Sequence, residues 1–162
     1  MQYEELEINQ HMIALANKRA DQSVKKEIPY HGRYGTNRAR MFTGFVGECM
    51  LAQLLSRPIA DTFHFDFEFN GLKIDAKTTA LPRAPEPQFS VTTNLRTPHA
   101  HLYVFLAVIH DHSSGWLLGC KTVQEWNLIS RVIRVGEPLP SGMIVKNNDC
   151  RCGLVNQLDF FG

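Results

Sequence analysis

The amino-acid sequence predicts an α/β fold in which helices flank a mixed β-sheet of four or more strands. Apolar positions recur with a helical period along residues 38–57, which end before Pro58, whereas apolar and polar residues alternate along 63–77 as in strands. The run Leu102–Ile109 is continuously apolar, which is typical of a central strand buried on both faces. The 162 residues, 44% of them hydrophobic, are predicted to form a single domain over 1–162.

The other elements are predicted from local patterns on either side of this centre. Residues 3–26 have the periodicity of an N-terminal helix, and 116–120 form a further strand after a turn. Thr122 is predicted to cap a short helix, because Glu125 stands in the capping-box position. The tail from Val132 onward is predicted to be β-rich.

The helix over 38–57 has one charged residue in its apolar stripe. At about 100° per residue, five side chains fall within an arc of about 80°: Met41, Phe45, Glu48, Ala52 and Leu55. A carboxylate in such a stripe is costly unless it is paired or bound to a metal, so Glu48 is predicted to have a partner inside the fold. The alternative is a rotated helix with Glu48 at the edge of the stripe, in water.

Two glycines on this helix, Gly44 and Gly47, lie on the same side one turn apart. Each costs about 1 kcal/mol in a helix interior, so the sequence predicts that another part of a molecule approaches closely there. Either the strand hairpin or a nucleic-acid backbone would explain the missing side chains.

The segment 63–77 is predicted to be a β-hairpin with Asn70 and Gly71 as its two-residue turn. This turn fixes which residues face each other across the two strands. The predicted pairs are Phe69–Leu72, Glu68–Lys73, Phe67–Ile74 and Asp66–Asp75.

One face of this hairpin is predicted to be apolar and the other to carry Asp66, Asp75 and Lys77. Like charges directly opposite each other destabilise an antiparallel pair, and a divalent cation held between the two carboxylates would offset that cost. Two carboxylates and a nearby Lys suit phosphodiester hydrolysis with Mg²⁺. The alternative is a solvated face on which Glu68 pairs with Lys73.

A Glu on a helix followed by an Asp and an Asp-x-Lys on the two strands of a hairpin resembles the PD-(D/E)xK nuclease superfamily, which has the restriction-endonuclease-like fold. The residues here are Glu48, Asp66 and Asp75-Ala76-Lys77, and their short spacing looks most like small phage-type endonucleases. The resemblance covers about residues 38–126. It departs from the pattern at Phe65, which stands in place of the motif's Pro.

The resemblance implies a role for each of these residues. Asp66 and Asp75 would ligate Mg²⁺ or Mn²⁺ with the backbone carbonyl of Ala76, and Glu48 would complete the metal shell. Lys77 would orient or deprotonate the attacking water and stabilise the charge on the phosphate. The implied function is that of a metal-dependent DNA endonuclease, with a catalytically inactive nucleic-acid-binding module of the same fold as the alternative. A hydrolase of small phosphorylated or acyl substrates is disfavoured, because the sequence has no glycine-rich phosphate loop or nucleophile motif.

DNA contacts are predicted for basic residues close to this motif. Seven Lys or Arg residues and only two acidic ones lie between Lys18 and Arg40, although the formal net charge of the whole chain is +1. We expect phosphate contacts from four arginines: Arg33, Arg38 and Arg40 in the basic segment that leads to Glu48, and Arg83 in the proline-rich loop that follows the hairpin.

The remaining patterns exclude some classes of protein. The sequence has neither a membrane-length apolar run nor an N-terminal signal pattern, so we expect no membrane partner and a location in the cytoplasm of a bacterial or phage-infected cell. Its four cysteines do not form two Cys-x-x-Cys units, and a zinc site is not expected. The histidines at 99, 101, 110 and 112 are predicted to lie on the surface. A chain this small would cut both strands of a duplex most simply as a homodimer.

Overall fold

The structure is a computed structural model that describes residues 3–26, 34–60, 62, 65–95, 99–146 and 148–160. It confirms a mixed α/β fold, with a five-stranded mixed sheet, a smaller three-stranded sheet and three α-helices among these residues. In chain order the elements are β1 Glu4–Leu6, α1 Gln10–Lys26, α2 Tyr34–Leu55, β2 Phe67–Phe69, β3 Leu72–Leu81, β4 Ser90–Asn94, β5 Leu102–Ile109, β6 Gly115–Thr122, α3 Val123–Ile129, β7 Arg131–Ile133 and β8 Cys150–Leu154.

The five-stranded sheet has the strand order β1-β6-β5-β3-β2. Only β3 and β5 run parallel, and the chain that connects them contributes β4 to the second sheet, whose order is β4-β8-β7. As predicted, β5 lies at the centre, with six consecutive buried residues, because it has strands on both sides and packed layers on both faces.

The hairpin register is confirmed for the three pairs nearest the turn. Phe69 faces Leu72, Glu68 faces Lys73 and Phe67 faces Ile74. Asn70 and Gly71 both have positive φ, 50° and 79°, as the predicted two-residue turn requires. The ladder ends at Phe67, however, so the predicted Asp66–Asp75 pair is not part of it.

Strand β3 is therefore much longer than its hairpin partner. It has ten residues, and β2 pairs with only the first three of them. Beyond Ile74, no other strand in the described part of the chain pairs with the outer side of β3. This stretch, from Asp75 to Leu81, is called the free edge of β3 below.

The core lies in two layers, one on each face of the large sheet. Helices α1 and α2 pack together over one face, which carries Phe67, Ile74 and Val104. On the other face, α3 and the small sheet enclose a second cluster around Trp126, whose indole N–H donates to Thr93 Oγ1 at 2.8 Å. The two layers fix the positions of the elements that carry the candidate site.

Two sequence predictions were wrong in part. Residues 4–6, predicted as helical, form the edge strand β1, which pairs with β6, and α1 begins later, where Asn9 Oδ1 accepts from Met12 N–H at 3.0 Å. The β-rich tail is present as β7 and β8, but its sheet also includes the unpredicted strand β4. The short helix α3 has the predicted capping box of Thr122 and Glu125. None of the described helices is long and apolar enough to cross a membrane.

Candidate active site

The four residues of the nuclease-like motif come from three neighbouring elements. Glu48 lies on α2, Asp66 directly precedes β2, and Asp75 and Lys77 lie on β3. They are near enough for the charges of Glu48, Asp75 and Lys77 all to change the pKa of Asp66. The structure thus brings together, around the free edge of β3, the residues that the sequence pattern selected.

Glu48 has its partner inside the fold, and that partner is Arg19 of α1. The Glu48 side chain is only 13% exposed, and its Oε2 lies 2.5 Å from an Arg19 guanidinium nitrogen. The guanidinium also lies 4.3 Å from the centre of the Phe45 ring, so it is held by a second contact. The prediction of a partner is therefore confirmed, although sequence reasoning did not identify Arg19.

The orientation of α2 differs slightly from the predicted stripe. The most deeply buried side chains are Val46, Met50 and Leu51, which places Glu48 at the margin of the buried face. This position is not exposed to water as the rotated alternative assumed, because α1 covers it. A signal for Arg19 did exist, since it lies beside the fully buried Ala16 and Ala20 on α1.

Asp66 turns toward the backbone of β3. Its Oδ2 accepts a hydrogen bond from Ala76 N–H at 2.7 Å, and its own N–H donates to Ile74 O at 2.8 Å. These bonds replace the regular ladder at this position, which is why Asp66 does not stand directly opposite Asp75. Because the N–H and C=O of one strand residue point to the same side, the Ala76 carbonyl faces the same edge.

Asp75 and Lys77 form an ion pair on the face of the sheet opposite α2. Lys77 Nζ lies 2.8 Å from Asp75 Oδ1 and 5.8 Å from the centre of the Tyr103 ring. Burial first, and then the Asp75 charge, raises the pKa of Tyr103 to about 12. Glu48 and Asp75 therefore approach the free edge from opposite faces, with Asp66 at the edge itself.

The site disfavours the charged form of more than one of its carboxyl groups. Burial, followed by the charges of Glu48 and Asp75, raises the pKa of Asp66 from 3.8 to about 8, despite the Ala76 hydrogen bond and the Lys77 charge. Burial also raises the pKa of Glu48, although Arg19 opposes the change. A cluster of carboxyl groups with raised pKa values does not stabilise the fold at neutral pH. Such clusters are typical of active sites.

Among the described residues, no group of three or more His, Cys, Asp and Glu side chains is arranged as a set of metal ligands. Arg19 and Lys77 instead supply the positive charges next to Glu48 and Asp75. Oxygen ligands for a hard cation at the free edge would come from Asp66, Asp75 and the Ala76 carbonyl.

The four arginines predicted to contact DNA have different surroundings. Arg38 binds Asp21 at 2.9 Å and Asn17 at 3.2 Å and so ties α2 to α1, and Arg83 binds Glu86 at 2.7 Å. Arg40 is exposed and lines a large cleft. Arg33 lies outside the described residues.

This cleft, called the basic cleft below, has a volume of about 1170 Å³ and lies beside the candidate site. Its lining residues come from α2, from the free edge of β3, from the small sheet, from the turn between β5 and β6, and from positions 139, 143–146 and 148. Its polar and charged lining residues are Arg40, Thr43, Thr78, Thr79, Thr92, Asn94, His110, His112, Lys146 and Asn148. Sequence reasoning did not predict this cleft, because its walls are far apart in the chain.

Two of the histidines predicted as surface residues line the basic cleft. His110 is exposed there, as predicted, whereas His112 is partly buried and its Nε2 lies 3.1 Å from Thr43 Oγ1 of α2. Burial lowers the pKa of His112, against the effect of the neighbouring Asp111 charge.

The two glycines of α2 have different explanations. A Cβ on Gly47 would lie 2.8 Å from Thr78 Cβ, so β3 is the close neighbour that the missing side chain admits. A Cβ on Gly44 would meet nothing within 4 Å among the described residues. The hairpin strand thus explains Gly47 alone.

Comparisons of the chain with protein-family models, with curated proteins and with solved structures find no match. The function therefore has to be inferred from the residues and their geometry, since a fold class by itself does not specify an activity.

Proposed function

We propose that the protein is a Mg²⁺- or Mn²⁺-dependent DNA endonuclease with a restriction-endonuclease-like core. The observation that carries this proposal is the convergence of three carboxyl groups, those of Glu48, Asp66 and Asp75, around the free edge of β3. Asp66 Oδ2 accepts a hydrogen bond from Ala76 N–H at 2.7 Å there, and its burial beside the other two charges raises its pKa. Placing three carboxylates together lowers stability unless a cation joins them, and Lys77 completes the set needed for phosphodiester hydrolysis.

Each residue has a distinct part in the proposed reaction. Asp66 and Asp75, with the Ala76 carbonyl, would hold the cation, and Glu48 would complete its set of ligands. When bound, the cation would polarise a phosphoryl oxygen and lower the pKa of its water. Lys77, already 2.8 Å from Asp75, orients the attacking water and stabilises the negative charge that develops on the phosphate.

One observation favours the alternative, a catalytically inactive nucleic-acid-binding module of the same fold. The ion pairs Arg19–Glu48 and Lys77–Asp75 already place a cation next to two of the three carboxylates. A module that has no need of a metal would be stabilised in this way.

Nicking of supercoiled plasmid separates the two functions. The endonuclease is expected to nick in Mg²⁺ or Mn²⁺ and not in EDTA, and Asp75→Asn should abolish nicking because it removes a ligand charge. Glu68→Gln, which changes an exposed carboxylate on the same hairpin, is the matched control and should cut like the parent. Binding of DNA without nicking in either metal would leave the inactive module as the function.

A further inference from the structure

We propose that the basic cleft binds a single-stranded segment of DNA and leads it to the candidate active site. This inference rests on the proposed function, which makes DNA the substrate, and it names the form of DNA that the site accepts.

The charge of the basic cleft matches a nucleic-acid backbone. The described residues that line it include the cations Arg40 and Lys146, and no carboxylate. The chain as a whole has 16 acidic residues against 17 Lys and Arg, so the positive charge of this lining is a local property. A cationic cleft without acidic groups attracts phosphates and raises their local concentration.

The neutral polar groups of the lining suit the same ligand. Hydroxyl and amide side chains such as Thr43, Thr79, Asn94 and Asn148 are of the kinds that donate to phosphate and sugar oxygens. The volume of about 1170 Å³ exceeds the roughly 300–1,000 Å³ of small-molecule pockets. The cleft is therefore large enough for several nucleotides of a polymer.

An apolar wall selects a single strand over a duplex. Met143 and Ile144, 65% and 45% exposed, line the cleft together with Leu139 and Val145. Unstacked bases of a single strand can pack against such side chains, whereas a duplex keeps its bases stacked and presents phosphates on its outside.

The segment that carries this apolar wall has a defined shape. Leu139 N–H donates to Met143 O and Gly136 N–H donates to Val145 O, both at 2.8 Å. An isolated bridge also joins Pro138 and Ile144. These bonds hold the wall in place before a ligand arrives, so binding does not have to order it.

The cleft is continuous with the candidate site. Thr78, which lines it, directly follows Lys77 and packs on Gly47, the neighbour of Glu48. Arg40, Gly44 and Gly47 follow one another along one face of α2, and the open space at Gly44 leaves room there for a nucleic-acid backbone.

The first test is fluorescence anisotropy in EDTA with a labelled 20-nucleotide thymidine oligomer and a 20-base-pair duplex. The single strand is expected to bind at least about 10-fold more tightly than the duplex, and Met143→Glu with Ile144→Glu should remove most of that preference. Leu128→Glu, which alters a side chain that is 85% exposed on α3, is the matched control and should change neither affinity. Equal affinities for the two DNAs, or wall variants that bind like the control, would overturn the inference.

The salt dependence of DNA binding tests the cationic contacts separately. Replacing Arg40 and Lys146 with Ala should flatten the slope of log K against log salt for the single strand by about 1.4, since each phosphate contact contributes about 0.7. Lys18→Ala, at an exposed position on α1, should leave the slope unchanged. A double variant with the parent's slope would contradict binding in the basic cleft.

The third test measures the alkylation of cysteines in the parent protein, so it does not depend on the folding of a variant. Cys150 lines the basic cleft, whereas Cys120 is comparably buried but is not part of the lining. The thymidine oligomer is expected to slow alkylation of Cys150 by N-ethylmaleimide at least 3-fold and to leave Cys120 unchanged. If Cys150 reacts at the same rate with and without the oligomer, the inference is wrong.

The proposed function and this inference can fail separately. A parent that protects Cys150 with single-stranded DNA but nicks no DNA in Mg²⁺ or Mn²⁺ refutes the endonuclease and supports the cleft as a binding site. A parent that nicks plasmid while the apolar wall variants keep its single-strand affinity refutes the cleft alone.

Discussion

At Asp66, the fold keeps a carboxyl group away from water and next to two others. Its pKa rises from 3.8 to about 8, so the folded protein holds this proton more tightly than the unfolded chain does. The contribution of this group to stability is therefore complete below about pH 4 and is lost as the pH rises to about 8. Without a metal, ionisation of Asp66 opposes folding.

We accordingly expect Asp66→Asn to increase stability in EDTA at pH 8 and to change it little at pH 4. The amide oxygen can still accept from Ala76 N–H but carries no charge. Urea unfolding of parent and variant at pH 4, 6 and 8 measures the difference, with Glu68→Gln as a control on the same hairpin. A difference between parent and Asp66→Asn that does not grow with pH would contradict the raised pKa.

Substitution of Lys77 tests whether this residue acts in the chemical step or in metal binding. Because an ammonium group cannot ligate a cation but can stabilise a developing phosphate charge, Lys77→Ala should slow cleavage by about 10²-fold or more. Calorimetric Mn²⁺ affinity should change little. Lys73→Ala is the control, because Lys73 lies two residues before Asp75 on the same strand, and this variant should cut at the parent's rate. Weaker Mn²⁺ binding with an unchanged rate at saturating metal would reverse the assignment.

The residues of the site were predictable from the sequence to different degrees. Asp66, Asp75 and Lys77 lie within a few residues of one turn, so local geometry was enough to bring them together. Arg19 binds Glu48 across 29 positions of the chain, and this contact depends on how α1 packs over α2. The periodicity of α1 places Arg19 beside the buried Ala16 and Ala20, but it does not show which residue of α2 Arg19 meets.

At the level of secondary structure, the hairpin was predictable because its turn can be recognised from two residues of the sequence. Asn70 and Gly71 favour the positive φ angles that align the two strands. The end of the ladder was not predictable in the same way, because Asp66 bonds to Ala76 N–H through its side chain and competes with regular strand pairing.

Strands β1 and β4 were missed for a different reason. Each is short and pairs with a distant strand, as Glu4 does with Leu117 and Val91 with Gly153. Strand formation in such segments depends on the partner more than on intrinsic preference. A single sequence does not reveal which partner will be near.

The two glycines of α2 give a matched pair of predictions. Gly44→Ala should stabilise the protein by about 0.5–1 kcal/mol, because an alanine in a helix interior loses less conformational entropy and meets open space here. Gly47→Ala should destabilise it by about 1–3 kcal/mol, because the new methyl group would overlap Thr78.

Chemical denaturation of both variants with far-UV circular dichroism checks this pair. Rotation of Thr78 does not relieve the overlap, since its Cβ would itself lie only 2.8 Å away. Equal effects of the two substitutions would mean that α2 is packed differently against β3.

For the whole molecule, Trp126 joins the two sheets into one unit. It is fully buried, donates to Thr93 of β4, and lies 4.7 Å from the ring of Phe105 in β5. Because Gly153 of β8 has no side chain, the indole ring can pack closely against this strand. Because both sheets share this cluster, we expect residues 1–162 to unfold together.

Trp126→Phe should therefore destabilise the whole protein. Thr93, only 3% exposed, would lose its hydrogen-bond donor at a cost of about 1–3 kcal/mol, without a change in the number of transitions. Thermal melts followed by near-UV and far-UV circular dichroism should coincide for both proteins. Leu128→Ala, on the exposed side of the same helix, should stay within about 0.5 kcal/mol of the parent. Two separate transitions would divide the chain into two folding units.

The free edge of β3 also affects how the protein behaves at high concentration. A strand with unpaired backbone groups can pair with a strand of another molecule, and charged side chains along it prevent such aggregation. Asp75 and Lys77 lie on this edge. Their charges would disfavour such pairing between molecules, in addition to the proposed chemistry. Selection for solubility and selection for cleavage would then preserve the same two residues, and a variant that lacks both charges should precipitate sooner than its parent.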